Sequence, residues 1–291
     1  MNVALTSSTQ ALADAAALIT SLNAQYGGAH GGGGGAMRWV SFGGSYPGMV
    51  ASWLRLKFPH LVHAAVASSA PVQAQLEMRG YDEVVGDALA EADVGGSPAC
   101  VDNVIKAFAH VSDLLATPAG RSRLGASFHV CAVETEIPNV GPLQALANRA
   151  EFVSALTEVF PAQSNDPACG TPGCDIRAAC DVMTGADGGA DGGADGGVGG
   201  GASTELERLA RLSKMAFGGE CVDVDHDSNV KHLASTELPV GWEDGAGDFE
   251  RSWFWQTCTE FGFYQTCEVG SRCPFGKGDL VLADDGRIVL R

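Results

Sequence analysis

The chain has 291 residues, of which 45% are hydrophobic and 18% are charged, and its formal net charge is −17. A chain of this length and apolar content buries a substantial core and predicts one large domain with an insertion, or two domains. The strong acidity argues against binding to nucleic acid and to anionic membrane surfaces, because both repel a protein of this charge. No long apolar run predicts a transmembrane span, and the first residues lack the basic and apolar regions of a signal peptide.

The first predicted element is an amphipathic helix. Ser7 or Ser8 caps it, and apolar residues recur every three or four positions until it ends near Gly27. Residues 27–36 follow, with five consecutive glycines, and this composition predicts a flexible linker.

The next elements form a strand, a sharp turn and a helix. Residues 37–42 are apolar and β-prone, residues 43–48 read Gly-Gly-Ser-Tyr-Pro-Gly, and residues 50–58 form a short amphipathic helix that ends at Pro59. This order is typical of a nucleophile elbow, in which a serine hydroxyl stands at the top of an α/β-hydrolase sheet.

The elbow supplies the first candidate site residues. Ser45 is the predicted catalytic nucleophile, and the backbone N–H of Tyr46 is the predicted donor to the oxyanion. Pro47 occupies a position where the pattern has glycine, and Gly48 follows it. Proline is tolerated there because its missing N–H lies in the first helical turn, where donors have no intrahelical partner.

After the elbow helix, residues 63–70 read as a second buried parallel strand, which completes a βαβ pattern. Helical periodicity then dominates, with amphipathic helices predicted at 100–115, 142–160 and 205–217. Residues 185–201 repeat Ala-Asp-Gly-Gly and predict a disordered insert. We therefore interpret 72–250 as a mostly helical cap domain.

All nine cysteines follow the elbow, a distribution that favours disulfides and an oxidising compartment, with one thiol left over. A zinc site at Cys169, Cys174 and Cys180 is the rival interpretation, but neither a Cys-x-x-Cys pair nor a suitable histidine spacing completes it. Residues 223–229 alternate acidic residues like a calcium loop, but they lack its central glycine and terminal glutamate and predict an acidic surface loop. We predict no metal and no cofactor.

Several longer stretches resemble one family of serine peptidases, that of prolylcarboxypeptidase, dipeptidyl peptidase II and thymus-specific serine protease, with the thymus-specific branch the most similar. The stretches that carry this resemblance are 8–14, 42–48, 53–61, 67–72 and 251–266. The resemblance implies an α/β fold, namely a partial α/β-hydrolase core with an inserted, mostly helical cap. The implied domains are a core with the elbow at 1–71, the cap at 72–250 and a return to the core at 251–291.

The resemblance also implies a function. It predicts a serine-type exopeptidase that cleaves peptides near proline by acyl transfer through Ser45, in a lysosomal, vesicular or secreted location. Met49 is then a candidate for lining the proline pocket, although a core methionine would look the same. Glu260 is a candidate charge near the substrate, or a buried structural carboxylate. The expected partner is a peptide substrate, and a homodimer is left open.

The family pattern runs out near Phe275, before the strands that carry the catalytic Asp and His, so we expect a chain incomplete at both ends. None of the seven histidines fills the role of base convincingly. An inactive fragment or pseudo-peptidase that acts as a binding protein is therefore the alternative function. A lipase or esterase on the same elbow is a third, because an elbow alone does not separate ester from amide substrates.

Overall fold

The structure is a computed structural model that describes residues 6–26, 37–132, 141–161, 165–188, 204–235, 250–276, 280–282 and 288–290. The predicted linker at 27–36 and residues 189–201 of the predicted insert lie outside the described residues. The chain divides into two units. Unit 1 comprises Met1–Leu76 and Leu233–Phe263, and unit 2 comprises Glu77–His232 and Tyr264–Arg291.

The described elements combine many helices with little sheet, a mixed architecture that agrees with an α/β-type protein. In chain order they are α1 (Ser8–Tyr26), β1 (Trp39–Gly44), α2 (Ser45–Lys57), β2 (Val62–Ser68), α3 (Gly80–Ala90), a 3-10 turn (Ala92–Val94), α4 (Pro98–Leu115), α5 (Pro118–Ser127), a 3-10 turn (Pro142–Gln144), α6 (Leu146–Thr157), α7 (Ile176–Thr184), α8 (Glu205–Ala216), α9 (His226–Ala234), α10 (Glu250–Gln256), a π-helical turn (Thr257–Phe261), β3 (Leu280–Leu282) and β4 (Ile288–Leu290). The interpretation of residues 72–250 as an inserted cap domain remains a prediction.

The sheet of unit 1 is a parallel pair joined by a helix. β1 lies beside β2 with Trp39 opposite Val62 and Gly44 opposite Ser68, and α2 connects the two strands. This confirms the βαβ pattern predicted from the sequence, but the prediction of a buried second strand at 63–70 was wrong, because β2 is half-buried or exposed after Val62.

One face of β1 is covered and the other is open. Ser41 Oγ donates to the carbonyl of Ala51 in α2, at 3.1 Å, whereas the neighbouring Phe42 side chain is 74% exposed. A small core of Ile19, Leu54 and Val62 lies on the covered side. The alternation along the strand thus places one set of side chains against the helices of unit 1.

The start of α1 resolves the choice between two capping serines. Ser7 Oγ accepts a hydrogen bond from the backbone N–H of Gln10 at 3.2 Å, the contact that an N-cap residue makes three positions into a helix. Ser7 is therefore the cap, and Ser8 becomes the first residue of the helix.

Unit 2 is built from helices around one apolar core. The predicted helices at 100–115, 142–160 and 205–217 correspond to α4, to a 3-10 turn followed by α6, and to α8. Shorter helices such as α5 and α7 were not predicted individually, because a span of 9 or 10 residues carries too few turns for a clear period.

Four disulfides lie within unit 2, two of them between positions that are 80 and 90 residues apart, which confirms the prediction made from the cysteine count. The pairs are Cys100–Cys180, Cys131–Cys221, Cys169–Cys174 and Cys267–Cys273. Cys258, the ninth cysteine, lies in unit 1 outside these pairs and is exposed. Of the helices described, none combines the length and the apolar character needed to cross a bilayer.

Candidate active site

Ser45 lies where β1 ends and α2 begins, and its backbone is strained. Gly44 is extended, with φ −115° and ψ 151°, and Ser45 then adopts φ 54°, in the left-handed region that residues other than glycine seldom occupy. Such strain costs on the order of 1–3 kcal/mol and persists only where the surroundings enforce it. The Ser45 residue is exposed. Among the residues that the structure describes, none forms a hydrogen bond with its Oγ.

Two glycines permit the sharp turn at Ser45. A Cβ on Gly43 would collide with the backbone of Pro47 and lie 2.7 Å from Gly48 N. A Cβ on Gly48 would lie 2.9 Å from the Ala70 side chain and 3.1 Å from the carbonyl oxygen of Gly43. The chain therefore requires glycine on both sides of the turn, and it accommodates Pro47 between them.

The backbone of Tyr46 forms part of the turn, and its side chain packs against other residues of unit 1. Its N–H belongs to the first turn of α2, where backbone donors have no intrahelical acceptor and can serve an external oxyanion. Its ring packs edge-on against Trp253, at a centroid distance of 5.7 Å, and in a tilted orientation against Phe261, at 5.5 Å. The residue after the candidate nucleophile is thus held by aromatic contacts.

Glu260 is an exposed residue, so the alternative of a buried structural carboxylate was wrong, and its side chain joins two distant segments of unit 1. Its carboxylate accepts hydrogen bonds from Ser8 N, with both oxygens at 3.1 Å, from Ser8 Oγ at 2.9 Å and from Gln256 Nε2 at 2.9 Å. Ser8 and Gln256 also reach the Tyr46 hydroxyl, at 3.0 Å and 2.6 Å. Glu260 therefore lies one hydrogen-bond partner away from the residue that follows Ser45.

The four residues predicted for the site are placed differently. Tyr46 and Glu260 belong to one polar network, Ser45 lies next to it along the chain, and Met49 is fully buried in α2 with 0% exposure. The role of Met49 in lining a substrate pocket remains a prediction.

Sequence reasoning did not identify Ser8 and Gln256 as members of the network. The spacing of four between Gln256 and Glu260 on a helical segment was the only local signal available.

Two of the histidines that the structure describes pack or pair with other residues. His60 packs near Phe58 at a centroid distance of 6.3 Å, and His226 Nδ1 lies 2.7 Å from the Glu151 carboxylate in unit 2. His30 lies outside the described residues. No histidine within the described ranges contacts Ser45 Oγ.

Potential ligand groups also occur in unit 2. Asp82, Cys267 and Cys273 place one ligand atom each within 4.8 Å of one another, but the two cysteines form a disulfide and offer no thiolate to a metal. Asp82 also borders a cavity of about 440 Å³ together with Phe160 and Phe275. Burial, reinforced by the charge of Glu77, raises the pKa of Asp82 to about 6.

Residues 226–229 of the acidic segment are the first turn of helix α9, so the surface loop predicted at 223–229 was wrong for that half and holds only for the three residues before the helix. Asp225 Oδ1 accepts a hydrogen bond from Ser228 N at 3.0 Å, and α9 begins at the residue after Asp225. Asp223 Oδ1 in turn accepts from Asp225 N at 2.9 Å. The carboxylates of this segment therefore cap backbone donors, as in an acidic surface turn.

Comparisons with known proteins give related sequences. The chain is 38% identical over 240 residues to the thymus-specific serine protease of Homo sapiens, an alignment that covers 82% of this chain and 42% of that protein. The mouse protein of the same name is 36% identical over 241 residues, with 82% and 43% covered. The lysosomal Pro-X carboxypeptidase of Bos taurus is 30% identical over 156 residues, which cover 54% of this chain and 30% of that protein.

The chain spans less than half of the length of each of these relatives. Residues 1–279 match the family described as serine carboxypeptidase S28. The resemblance identified from the five stretches of sequence is thereby confirmed, and the chain belongs to the serine carboxypeptidase S28 family.

Proposed function

We propose that the chain carries the nucleophile of a serine-type exopeptidase that cleaves peptides near proline. The observation that carries this proposal is the backbone of Ser45, an exposed serine with φ 54° at the junction of β1 and α2. Strained conformations of this kind cluster at functional sites, and a strand-to-helix turn with a serine at its apex is the geometry of a nucleophile elbow. Family membership supports the same assignment.

The proposed mechanism is acyl transfer. Ser45 Oγ attacks the peptide carbonyl carbon, a histidine accepts the hydroxyl proton and an aspartate orients that histidine. The Tyr46 N–H helps to hold the oxyanion that forms, and the amine leaves with the proton from the histidine. Water then hydrolyses the acyl-enzyme. No residue of this chain is assigned to the histidine or the aspartate role.

The proposed substrates are peptides with a proline near one end. The support for this class is the printed name of one relative, a Pro-X carboxypeptidase. The same relative is called lysosomal, and four disulfides suit such an oxidising or secretory route, so we propose a lysosomal or secreted location.

The proposed architecture is an α/β-hydrolase core with a mostly helical cap inserted at 72–250 and a return to the core at 251–291. Two observations support it. The core pattern of strand, elbow, helix and parallel strand lies in unit 1, and the helical unit begins at Glu77, shortly after β2 ends.

One observation favours a second function, the binding of a peptide or protein without hydrolysis. The consecutive aromatic residues Trp253, Phe254 and Trp255 of α10 are 41%, 50% and 44% exposed. Exposed aromatic side chains of this kind are enriched at binding surfaces.

A single peptide tests both functions and shows from which end of the substrate residues are removed. The peptide carries proline as its second and its penultimate residue, and its products are identified by mass spectrometry after incubation with the full chain. We expect release of either the amino-terminal dipeptide or the single carboxyl-terminal residue, and Ser45→Ala abolishes it. Ser52→Ala is the matched control, because Ser52 lies further along α2 and its Oγ donates to the Met49 carbonyl, away from the elbow turn.

The outcomes separate the hypotheses. Cleavage that survives in Ser45→Ala overturns the assignment of the nucleophile. Binding of the intact peptide without cleavage supports the second function, and turnover of a simple ester but not of the peptide supports an esterase on the same elbow.

A further inference from the structure

We infer that Glu260 is a positioning residue for the elbow and acts through Ser8, Gln256 and the hydroxyl of Tyr46. This inference rests on the proposed function, since it concerns the residue that follows the proposed nucleophile. All four side chains belong to unit 1. Ser8 lies at the start of α1, Tyr46 at the start of α2, Gln256 at the end of α10 and Glu260 in the π-helical turn that follows.

The hydrogen-bond directions in this network are fixed by the carboxylate. A carboxylate only accepts, so the Ser8 hydroxyl donates to Glu260 Oε2 at 2.9 Å. Ser8 Oγ is then left as an acceptor for the Tyr46 hydroxyl at 3.0 Å. Gln256 Nε2 donates both to the Tyr46 hydroxyl at 2.6 Å and to Glu260 Oε2 at 2.9 Å. The phenol of Tyr46 therefore has one defined donor and one defined acceptor.

Burial makes these bonds consequential. Ser8 is 8% exposed and Gln256 is 6% exposed, so neither can replace a lost partner with bulk water at little cost. Glu260 itself is exposed, so the cost of a broken bond falls on its two buried partners, Ser8 and Gln256. Glu260 supplies the acceptor on which the other bonds depend.

The network acts on the elbow because Tyr46 is covalently joined to Ser45. Its ring is packed by Trp253 and Phe261, and its hydroxyl is held at the far end, so the side chain is fixed at both ends. A fixed Tyr46 opposes relaxation of the strained Ser45 backbone, with φ 54°, and fixes the direction of the Tyr46 N–H. Misplacement of a reacting group by about 1 Å can cost a hundredfold in rate, so this restraint matters to the chemistry.

Two measurements on the full chain test the inference. The first is the second-order rate at which a fluorophosphonate modifies Ser45, compared between the wild type, Tyr46→Phe, Glu260→Gln and the double variant. The second is amide hydrogen exchange at residues 49–52, whose helical acceptors are the carbonyls of residues 45–48. Tyr26→Phe is the matched control, because Tyr26 is an exposed tyrosine at the far end of α1.

We expect each single variant to label about tenfold more slowly, within the range known for misplaced groups. The double variant should be no slower than the slower single variant, because both changes break one network. Exchange at residues 49–52 should accelerate in the same variants, and Tyr26→Phe should match the wild type in both measurements.

The failures are distinguishable. Wild-type labelling at Ser45 with unchanged rates in both variants overturns the inference and leaves the proposed function standing. Absence of labelling in the wild type contradicts the proposed function, and hydrogen exchange then decides the inference alone: unchanged exchange in Glu260→Gln overturns it, and faster exchange supports it. If Glu260→Gln does not fold, Ser8→Ala replaces it, because it removes the acceptor of the Tyr46 hydroxyl and keeps the carboxylate.

Discussion

Unit 2 buries a cluster of 29 hydrophobic residues within its described part and contains four disulfides, whereas unit 1 buries a cluster of three around Ile19, Leu54 and Val62. The strained serine lies in the unit with the smaller core. Its surroundings are fixed by hydrogen bonds to one carboxylate and by aromatic contacts to Tyr46. Apolar burial and covalent links thus stabilise the helical unit, and a polar network shapes the elbow.

The sequence supplies a probe for each unit. All five tryptophans fall within the ranges of unit 1, so tryptophan fluorescence reports the unfolding of that unit. Hydrogen exchange in α4 and α8 reports unit 2, since both helices contribute buried residues to its core. The predictions below use these two readouts.

The largest effect is expected from the disulfide between α4 and α7. Replacing Cys100 and Cys180 together with alanine should lower the free energy of unfolding of unit 2 by about 4 kcal/mol, because the link closes a loop across 80 positions of sequence. The Cys169–Cys174 link spans only 5 positions, and its removal should cost about 2 kcal/mol. If tryptophan fluorescence showed an equal loss of stability in unit 1, the two units would not differ as described.

Two phenylalanines give a matched pair across the units. Phe152 is fully buried in α6 and packs edge-on against Phe128 at 5.4 Å, whereas Phe42 in β1 is 74% exposed. Phe152→Ala should destabilise unit 2 by about 4 kcal/mol. Phe42→Ala should change the stability of unit 1 by less than about 0.5 kcal/mol. A large loss for Phe42→Ala in a denaturant titration would contradict the description of β1 as open on one face.

A glycine in the elbow tests the turn itself. Gly43→Ala should destabilise unit 1 by about 3 kcal/mol, since the new methyl group meets the backbone of Pro47 and cannot be accommodated without moving it. Gly125→Ala in α5 is the control, because a Cβ there has open space, and it should leave the tryptophan transition unchanged. If Gly43→Ala left the tryptophan transition unchanged, the backbone of Pro47 would lie further from position 43 than described.

The smallest effect concerns pH and unit 2. Asp82 has a pKa of about 6 in the folded chain and an ordinary value of 3.8, so the folded state binds more protons than the unfolded state between these values. The stability of unit 2 should therefore fall as the pH rises from about 4 to about 6, by about 2 kcal/mol after allowance for partial exposure.

Asp82→Asn should remove that dependence and stabilise unit 2 at neutral pH, as measured by hydrogen exchange in α4 at several pH values. Asp113→Asn, an exposed position on α4, is the control and should retain the slope. A slope that survives in Asp82→Asn would assign the pH dependence to other groups.

Local pattern made the elbow predictable. The strand, the glycines around Ser45 and the amphipathic helix are all encoded within about 20 neighbouring positions, where periodicity and turn chemistry act directly. The network around Tyr46 could not be predicted in this way, because Ser8 and Glu260 are separated by 252 positions. Ser8 carries no local feature that marks it as a partner of a carboxylate.

The disulfides show the same limit. The cysteine count predicted that they form, but the pairing of Cys131 with Cys221 spans 90 positions and depends on how the helices of unit 2 pack. The prediction for Glu260 illustrates an intermediate case. The sequence suggested a charge with a role, and the contacts with Ser8 and Gln256 define what it touches.

The measurement that tests the central claim most directly is the mapping of a fluorophosphonate adduct on the full chain by peptide mass spectrometry. The account predicts one adduct, on Ser45, that is lost in Ser45→Ala and retained in Ser52→Ala. An adduct on another residue, or labelling that persists in Ser45→Ala, would contradict the assignment of Ser45 as the nucleophile.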